Sequence, residues 1–183
     1  MIGALLGLVL GLSLPPSVKP WPIGAEPGYR LPTAPAAVLA GRRAGRFRCG
    51  SGARRFGVHV ELFARRRVVI VPAGIGVARP WRTSFSRVRP EWCTYPLRTL
   101  DPTGVIEVRA GVRATLGDFF AIWGQPLGPR RLAGFRAPVV AFVGGRLWPG
   151  DPRRIPLTPH AQIVLAAGGY VPPHPRYLFP PGL

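Results

Sequence analysis

The sequence contains few side chains that could perform chemistry, and they are scattered along the chain. There are 7 carboxylates, 3 histidines (His59, His160 and His174) and 2 cysteines (Cys49 and Cys93). The sequence has no phosphate-binding Gly-x-x-x-x-Gly-Lys loop, no His-Glu-x-x-His and no Gly-x-Ser-x-Gly motif. We therefore predict no catalytic residues, no cofactor and no enzymatic activity.

Glu61 and Glu107 are the candidate carboxylates for a general acid and base pair. Both fall in predicted strands and could share one face of a sheet. Charged residues on the solvent side of a strand explain them more simply. His59 is likewise expected to be a packed or solvated strand residue rather than a ligand.

The two cysteines predict one disulfide, between Cys49 and Cys93. They form no Cys-x-x-Cys motif, and two thiols alone make neither a zinc site nor a redox motif. A single cross-link is typical of an exported domain. Closing so long a loop stabilises the fold by about 4 kcal/mol in the chain-entropy relation. The alternative is two unrelated buried thiols.

The strongest compositional signal is basic charge. Lysine and arginine number 25 against 7 acidic residues, giving a formal charge of +18, and Lys19 is the single lysine. Clustered guanidinium groups attract anions. We expect a solvated basic face that contacts an anionic envelope surface or a partner protein. Its candidate residues are Arg42, Arg43, Arg46, Arg48, Arg54, Arg55, Arg65, Arg66 and Arg67.

Aromatic residues lie among these arginines, but no nucleic-acid-binding module accompanies them, so we do not predict a specific nucleic-acid partner. They are Phe47, Phe56, Trp81 and Phe85.

The amino terminus predicts export. Residues 2–14 are almost wholly apolar but shorter than the ~20 residues that span a bilayer, a length that fits a secretory signal. No basic residue precedes this run and many follow it, which departs from the usual charge distribution. We expect an extracytoplasmic protein with residues 1–14 either cleaved or retained as a short membrane anchor. The alternative is a hydrophobic tail packed in an assembly.

Composition divides the rest of the chain into three parts. Residues 15–46 are rich in proline and arginine and are expected to be an extended linker. Residues 47–170 contain the apolar runs and are expected to fold as an α+β domain. Residues 171–183 are again rich in proline and predict an extended C-terminal tail.

Alternation of apolar residues predicts the strands of this domain. Residues 58–63 and 68–71 are expected to form a hairpin, turned at three arginines, and residues 72–90 a loop. Residues 105–108 predict a third strand. Residues 139–143 and the strand after Gly144-Gly145 predict a second hairpin, and residues 162–166 a final strand.

One helix is predicted to begin after Thr115. Asp118 stands three residues on, as a capping partner, and Gly124 and Pro126 end the helix. Its apolar stripe consists of Leu116, Phe119, Phe120 and Trp123. One helix crossing a small mixed or antiparallel sheet of two hairpins plus extra strands resembles a β-grasp-type arrangement.

Several motifs resemble those of a group of uncharacterised exported bacterial proteins, over residues 49–183. They are Val71-Pro72-Ala73-Gly74-Ile75-Gly76, Cys93-Thr94-Tyr95-Pro96-Leu97-Arg98-Thr99-Leu100-Asp101, residues 115–124, Gly150-Asp151-Pro152-Arg153 and Phe179-Pro180-Pro181-Gly182-Leu183. The group typically has His-x-His-x-His before its first strand and Leu-His-Thr-His-Asp after the second cysteine. The corresponding residues here are Arg55, Gly57 and His59, then Arg98 and Leu100.

The resemblance implies export but no established activity. Alternate histidines on a strand project to one face and could hold a transition metal, but only His59 is retained here. The leading hypothesis is therefore a non-enzymatic exported or envelope-anchored accessory subunit that binds no metal. The alternative is a metal-binding or redox accessory protein with a degenerate site at His59, Cys49 and Cys93.

Overall fold

The computed structural model of this chain describes residues 43–52 and 54–183. The predicted signal or anchor at 1–14, most of the predicted linker 15–46, and Arg42 lie outside the described residues. A helix, α1 (Leu116–Trp123), and a 3-10 turn at Pro152–Arg154 accompany the strands. The strands are β1 (Arg43–Ala44), β2 (Phe47–Arg48), β3 (Arg55–Ala64), β4 (Arg67–Val69), β5 (Trp81–Ser84), β6 (Arg87–Pro90), β7 (Leu97–Arg98), β8 (Val105–Arg109), β9 (Leu127–Gly128), β10 (Arg131–Leu132), β11 (Phe135–Arg136), β12 (Val139–Val143), β13 (Arg146–Trp148) and β14 (Gln162–Ala167).

A mixed seven-stranded sheet forms the centre of the molecule. Its order is β13-β12-β14-β3-β8-β7, and β4 also pairs with β3. The central pair, β3 and β14, is parallel, and the other neighbours are antiparallel. Along one edge of β3, residues 55–59 pair with β8 and residues 62–64 with β4. The predicted α+β class is confirmed.

Both predicted hairpins are present. In the first, Ala64 pairs with Arg67, so the turn consists of Arg65 and Arg66 alone. Their φ angles are 50° and 65°, the left-handed conformation that a two-residue turn between twisted strands requires. The second hairpin joins β12 to β13 through Gly144 and Gly145, which share that conformation.

The helix begins and ends where the sequence predicts. The Thr115 side chain accepts a hydrogen bond from the backbone N–H of Asp118, whose carboxylate accepts one from the Thr115 N–H. Gly124 ends the helix at φ 72°. The buried helix residues are Leu116, Phe119, Phe120, Ile122 and Trp123, and they join one core cluster with Val58, Val60, Leu62, Ile106, Ile163 and Leu165 from the sheet.

The prediction that residues 72–90 form only a loop is wrong. They include an antiparallel hairpin of β5 and β6, in which Thr83 pairs with Val88. Of these two only Val88 is buried, so the segment has no apolar alternation to reveal its strands. The strands β9, β10 and β11, of two residues each, were not predicted for the same reason.

Both ends of the described chain lie beside the sheet domain. The hairpin of β1 and β2 already begins at Arg43 and packs Ala44 and Phe47 against the core. Residues 171–183 contain neither helix nor strand. No helix within residues 43–52 and 54–183 is long and apolar enough to cross a membrane.

Candidate functional site

Strand β3 has two chemically different faces. Val58, Val60 and Leu62 point into the core and are at most 2% exposed. The alternate residues of β3 lie on the opposite face, together with residues that the strand register places beside them. We call this set the polar face: Arg55, Gly57, His59, Glu61, Arg98, Glu107 and Gln162.

Glu107 is the buried charge at the centre of the polar face. Its side chain is only 8% exposed, and its Oε2 accepts hydrogen bonds from Arg98 Nε at 2.8 Å and Nη2 at 2.6 Å. Arg87 Nη2 lies 3.9 Å from Oε1. The simpler expectation, that Glu107 lies on a solvent-facing side, is therefore wrong, because a neighbouring strand supplies a cation and the carboxylate is enclosed.

Arg55 is also held inside the fold. Its guanidinium donates to the carbonyl oxygens of Pro96 and Tyr95 at 3.0 and 3.2 Å and to Thr94 Oγ1 at 2.9 Å. Burial, followed by the positive charges of Arg98 and Arg109, lowers the pKa of Arg55 to about 10. It therefore remains a cation at neutral pH, but its donors serve the protein interior.

His59 has a partner on both ring nitrogens. Nδ1 lies 2.7 Å from Gln162 Oε1 and Nε2 lies 2.9 Å from the carbonyl oxygen of Thr103. The ring is almost completely buried and stacks on Tyr177, with centroids 3.7 Å apart and planes 10° apart. Binding a metal through either nitrogen would require displacement of the group that lies beside it.

The chain's own C-terminal segment covers the polar face. We call residues 174–183 the C-terminal strap. His174 Nδ1 lies 2.9 Å from Glu61 Oε2, Tyr177 covers His59, and Phe179 lies over Gly57. The strap thus runs along β3 in the opposite direction.

Gly57 is the residue that admits the strap. A Cβ atom at position 57 would lie 2.5 Å from Phe179 Cδ1, far inside van der Waals contact. Beside Phe179, a cavity of about 560 Å³ remains between strap and sheet, lined in part by Arg87, Asp101 and Glu107.

The positions that correspond to the resembled histidines are only partly brought together. Arg55, Gly57 and His59 share the polar face, and Arg98 joins them through Glu107. Leu100 instead lies in a separate small cluster with Val77 and Val88.

The predicted disulfide between Cys49 and Cys93 is confirmed, with Cα atoms 5.5 Å apart. Neither sulfur is therefore a free thiolate. In residues 43–52 and 54–183, no group of three or more histidine, cysteine, aspartate or glutamate side chains is arranged to hold a metal ion.

The candidate basic residues have different environments. Arg43, Arg48, Arg54, Arg65 and Arg66 are exposed. The two ends of this set are separated by the 10-residue strand β3, about 33 Å at about 3.3 Å per residue.

Arg46, at the turn between β1 and β2, is exposed but makes an ion pair. Its Nε donates to Asp118 Oδ1 at 2.9 Å, and its guanidinium lies 4.5 Å above the Phe47 ring. Of the remaining candidates, Arg55 is internal, as described, and Arg67 lies half-buried in β4.

Two features of the structure were not predicted from the sequence. The contacts between the C-terminal strap and β3 correspond to no sequence pattern, apart from the aromatic residues of the tail. A second group of exposed arginines, Arg130, Arg131 and Arg136, surrounds a cavity of about 500 Å³ beside β10 and β11. Its signal was available, because the hexapeptides 43–48 and 131–136 both begin with arginine and end with Phe-Arg.

No protein-family model, curated protein or solved structure matches this chain.

Proposed function

We propose that this protein is a non-enzymatic, extracytoplasmic accessory subunit that binds an anionic envelope surface or partner through exposed arginines. One observation carries this proposal. Every side-chain carboxylate in the described part of the chain contacts an arginine or a histidine of the same chain. The pairs are Arg46–Asp118, His174–Glu61, Arg82–Glu91, Arg87–Asp101, Arg98–Glu107 and Arg153–Asp151.

The exposed arginines outside these pairs face solvent, and within residues 43–52 and 54–183 no unpaired side-chain carboxylate is left to neutralise them. Positive potential of this kind concentrates and orients anionic partners, and it does not require a catalytic group. The polar face supports the non-enzymatic part of the proposal, because each of its ionisable side chains is engaged by another group of the protein and the C-terminal strap covers this face.

Three observations support a location outside the cytoplasm. The Cys49–Cys93 disulfide is compatible with an oxidising compartment. Residues 2–14 have the composition of an export signal, and they would supply a membrane contact if retained. The motifs of residues 49–183 resemble those of exported proteins.

A β-grasp-like arrangement belongs to the same proposal. It is supported by the order β4-β3-β14-β12-β13, in which β14 lies between two hairpins and is parallel to β3, and α1 lies between the hairpins in sequence. Such a fold does not identify a function, since function belongs to the surface residues that it presents.

Vesicle binding tests the proposed function. Full-length protein is titrated with phosphatidylglycerol-containing vesicles and with pure phosphatidylcholine vesicles over a range of salt concentrations. We expect binding to the anionic vesicles only, weakening steeply above about 0.1 M salt, where exposed charges are screened within about 10 Å. Binding that is unchanged at high salt, or binding to neither vesicle, would overturn the proposal.

A degenerate metal site, with fewer ligands than the resembled group has, remains a second candidate function. It is favoured by the register, which places Gly57 and Arg98 on either side of Glu107 and so brings positions of the resembled histidine motifs close together. Calorimetry with zinc and copper on untagged protein discriminates the two functions. We expect no submicromolar binding by the natural sequence, because His59 is engaged and both sulfurs are oxidised.

The same measurement on a variant with Arg55, Gly57, Arg98 and Leu100 all replaced by histidine tests whether these positions converge. Gain of tight binding would support the metal interpretation of the resembled group, and no gain would remove it. The substitution at Gly57 requires displacement of Phe179, so a second variant should also carry Phe179→Ala.

A further inference from the structure

Three short hairpins outside the central sheet are built on one pattern. Each pairs two arginines directly across its strands: Arg43 with Arg48, Arg82 with Arg89, and Arg131 with Arg136. In each hairpin, the neighbouring cross-strand pair contains a buried residue, respectively Phe47, Val88 and Leu132. Because adjacent residues of a strand point to opposite faces, burial of one pair directs both arginines outward.

Such an arrangement is electrostatically unfavourable when nothing lies between the arginines. Residues directly opposite in an antiparallel pair have Cβ atoms about 5 Å apart, and like charges there destabilise the pairing. An oxyanion between two guanidinium groups reverses the sign of this interaction. Planar guanidinium groups also match phosphate oxygens in bidentate geometry.

None of the arginines in the hairpin of β10 and β11 has an acidic partner among the described residues. Arg82 of the β5–β6 hairpin is paired with Glu91. Arg43 and Arg48 make no ion pair, but Arg46, at the turn between them, is paired with Asp118. Arg131 and Arg136 likewise make no ion pair and no side-chain hydrogen bond with any of the described residues, and their hairpin has no acidic residue bound at its turn.

The surroundings of this pair form a concave site. On the other side of Arg131, the register places Gly128, where an added Cβ would meet nothing within 4 Å. The cavity of about 500 Å³ at this place is lined by Gly128, Pro129, Arg130, Arg131, Arg136 and Ala137, so it has three arginines and no acidic residue.

The hairpin that carries the pair is anchored in the core. Leu132 is fully buried, and its cross-strand partner Phe135 packs against the core cluster. The arginines therefore stand on a fixed support rather than on a free loop, which reduces the conformational entropy lost when they bind.

We propose that Arg130, Arg131 and Arg136 form a binding site for phosphate groups carried by an anionic polymer or lipid headgroup. This inference rests on the proposed function and deepens it, because it assigns the anion contact to one site. Binding at the site differs from general attraction to a basic surface, since it depends on two opposed guanidinium groups and not on net charge alone.

The test compares two variants with the same loss of charge. R131Q/R136Q removes the pair, and R65Q/R66Q removes two exposed arginines from the turn between β3 and β4. Both full-length variants and the natural protein are titrated with soluble polyphosphate and, separately, with phosphatidylglycerol-containing vesicles. Melting curves establish that each variant is folded, and the melting temperature of R131Q/R136Q is expected to be unchanged or slightly higher, because a like-charge pair is lost.

We expect R131Q/R136Q to lower the affinity on the order of tenfold for the phosphate ligand, and R65Q/R66Q to lower it by about threefold or less. R131K/R136K retains the charge without the bidentate geometry and is expected to fall between the two. Loss of vesicle binding alone would place the phosphate on a lipid, and loss of polyphosphate binding alone on a soluble polymer. Either result supports the site.

Equal losses in the glutamine variants would overturn the site but leave the proposed function standing, because the natural protein would still bind by charge. Absence of binding to both probes by the natural protein would overturn the site and the proposed function together.

Discussion

Arginines of the polar face and arginines of the short hairpins have opposite surroundings in one molecule. Arg55 and Arg98 lie in a sheet whose second face is covered, and they bond to backbone carbonyls and to Glu107. Arg131 and Arg136 lie in a small three-stranded sheet of order β11-β10-β9 with one buried face, so their guanidinium groups point to solvent. Whether the second face of a strand is covered therefore decides whether its arginines stabilise the fold or remain available to a partner.

The disulfide lies where the two kinds of region meet, and its removal should have the largest effect. Cys49 follows the hairpin of β1 and β2. Cys93 precedes Thr94, which accepts a hydrogen bond from Arg55 and pairs with Gly50. Replacing both cysteines by serine is expected to lower the free energy of unfolding by about 4 kcal/mol. Urea unfolding measures this change.

Phosphate binding at Arg131 and Arg136 should persist in the double serine variant under conditions where it is folded, because that hairpin does not contain the cross-link. A change of less than about 1 kcal/mol in the free energy of unfolding of the double serine variant would contradict the assigned role of the disulfide.

Neutralising Glu107 tests the internal arginines. Glu107→Gln leaves Arg98 and Arg55 without their buried countercharge and is expected to destabilise the fold by about 3 kcal/mol. Glu91→Gln is the matched control, because Glu91 pairs with Arg82 on an exposed hairpin and should cost less than about 1 kcal/mol. Similar losses in the two variants would mean that the polar face is no more dependent on its ion pairs than the hairpins are.

The cover of the polar face can be tested with a double-mutant cycle. Gly57→Ala should destabilise by about 1–3 kcal/mol, because its methyl group collides with the Phe179 ring. In a Phe179→Ala background the same change should cost much less, giving a coupling of about 1–2 kcal/mol. Additive effects in thermal or urea unfolding would show that Phe179 does not lie on Gly57 in solution.

The local sequence was sufficient to predict the long elements of this fold. Val58, Val60 and Leu62 alternate clearly, and Thr115 with Asp118 forms a capping pair, so the strand β3 and the start of α1 were found. The two-residue strands β10 and β11 are too short to show any period. The likeness of residues 131–136 to residues 43–48 marks the two arginines in the sequence, but only the register shows that they lie directly opposite each other.

The polar face could be predicted only in part, because its environment depends on distant residues. His174 contacts Glu61 across 113 positions, and no local pattern links the two. The burial of Glu107 likewise depends on the register that brings Arg98 beside it. The cysteines were different, since two cysteines allow only one pairing and the apparent export signal favoured its oxidation.

Arg46 is intermediate between the two kinds of arginine, and its partner Asp118 gives the smallest predicted effect. Burial alone would raise the pKa of Asp118, but hydrogen bonds from Arg46 and Thr115 lower it below the ordinary 3.8. A carboxylate whose pKa is depressed in the folded state stabilises the fold above its unfolded pKa, and this contribution is lost as the pH falls through the folded pKa.

Asp118→Asn removes both the ion pair and the carboxylate of the capping box, so it is expected to lower the free energy of unfolding by about 1 kcal/mol at neutral pH. The difference from the natural protein should shrink as the pH falls below about 4 and the natural carboxyl group becomes protonated. Arg46→Gln keeps the capping box and removes the exposed partner of Asp118 together with its contact with the Phe47 ring, so about 0.5 kcal/mol is expected. Urea unfolding at neutral and acidic pH measures all three proteins, and an equal loss at both pH values would show that the charge of Asp118 does not stabilise the helix start.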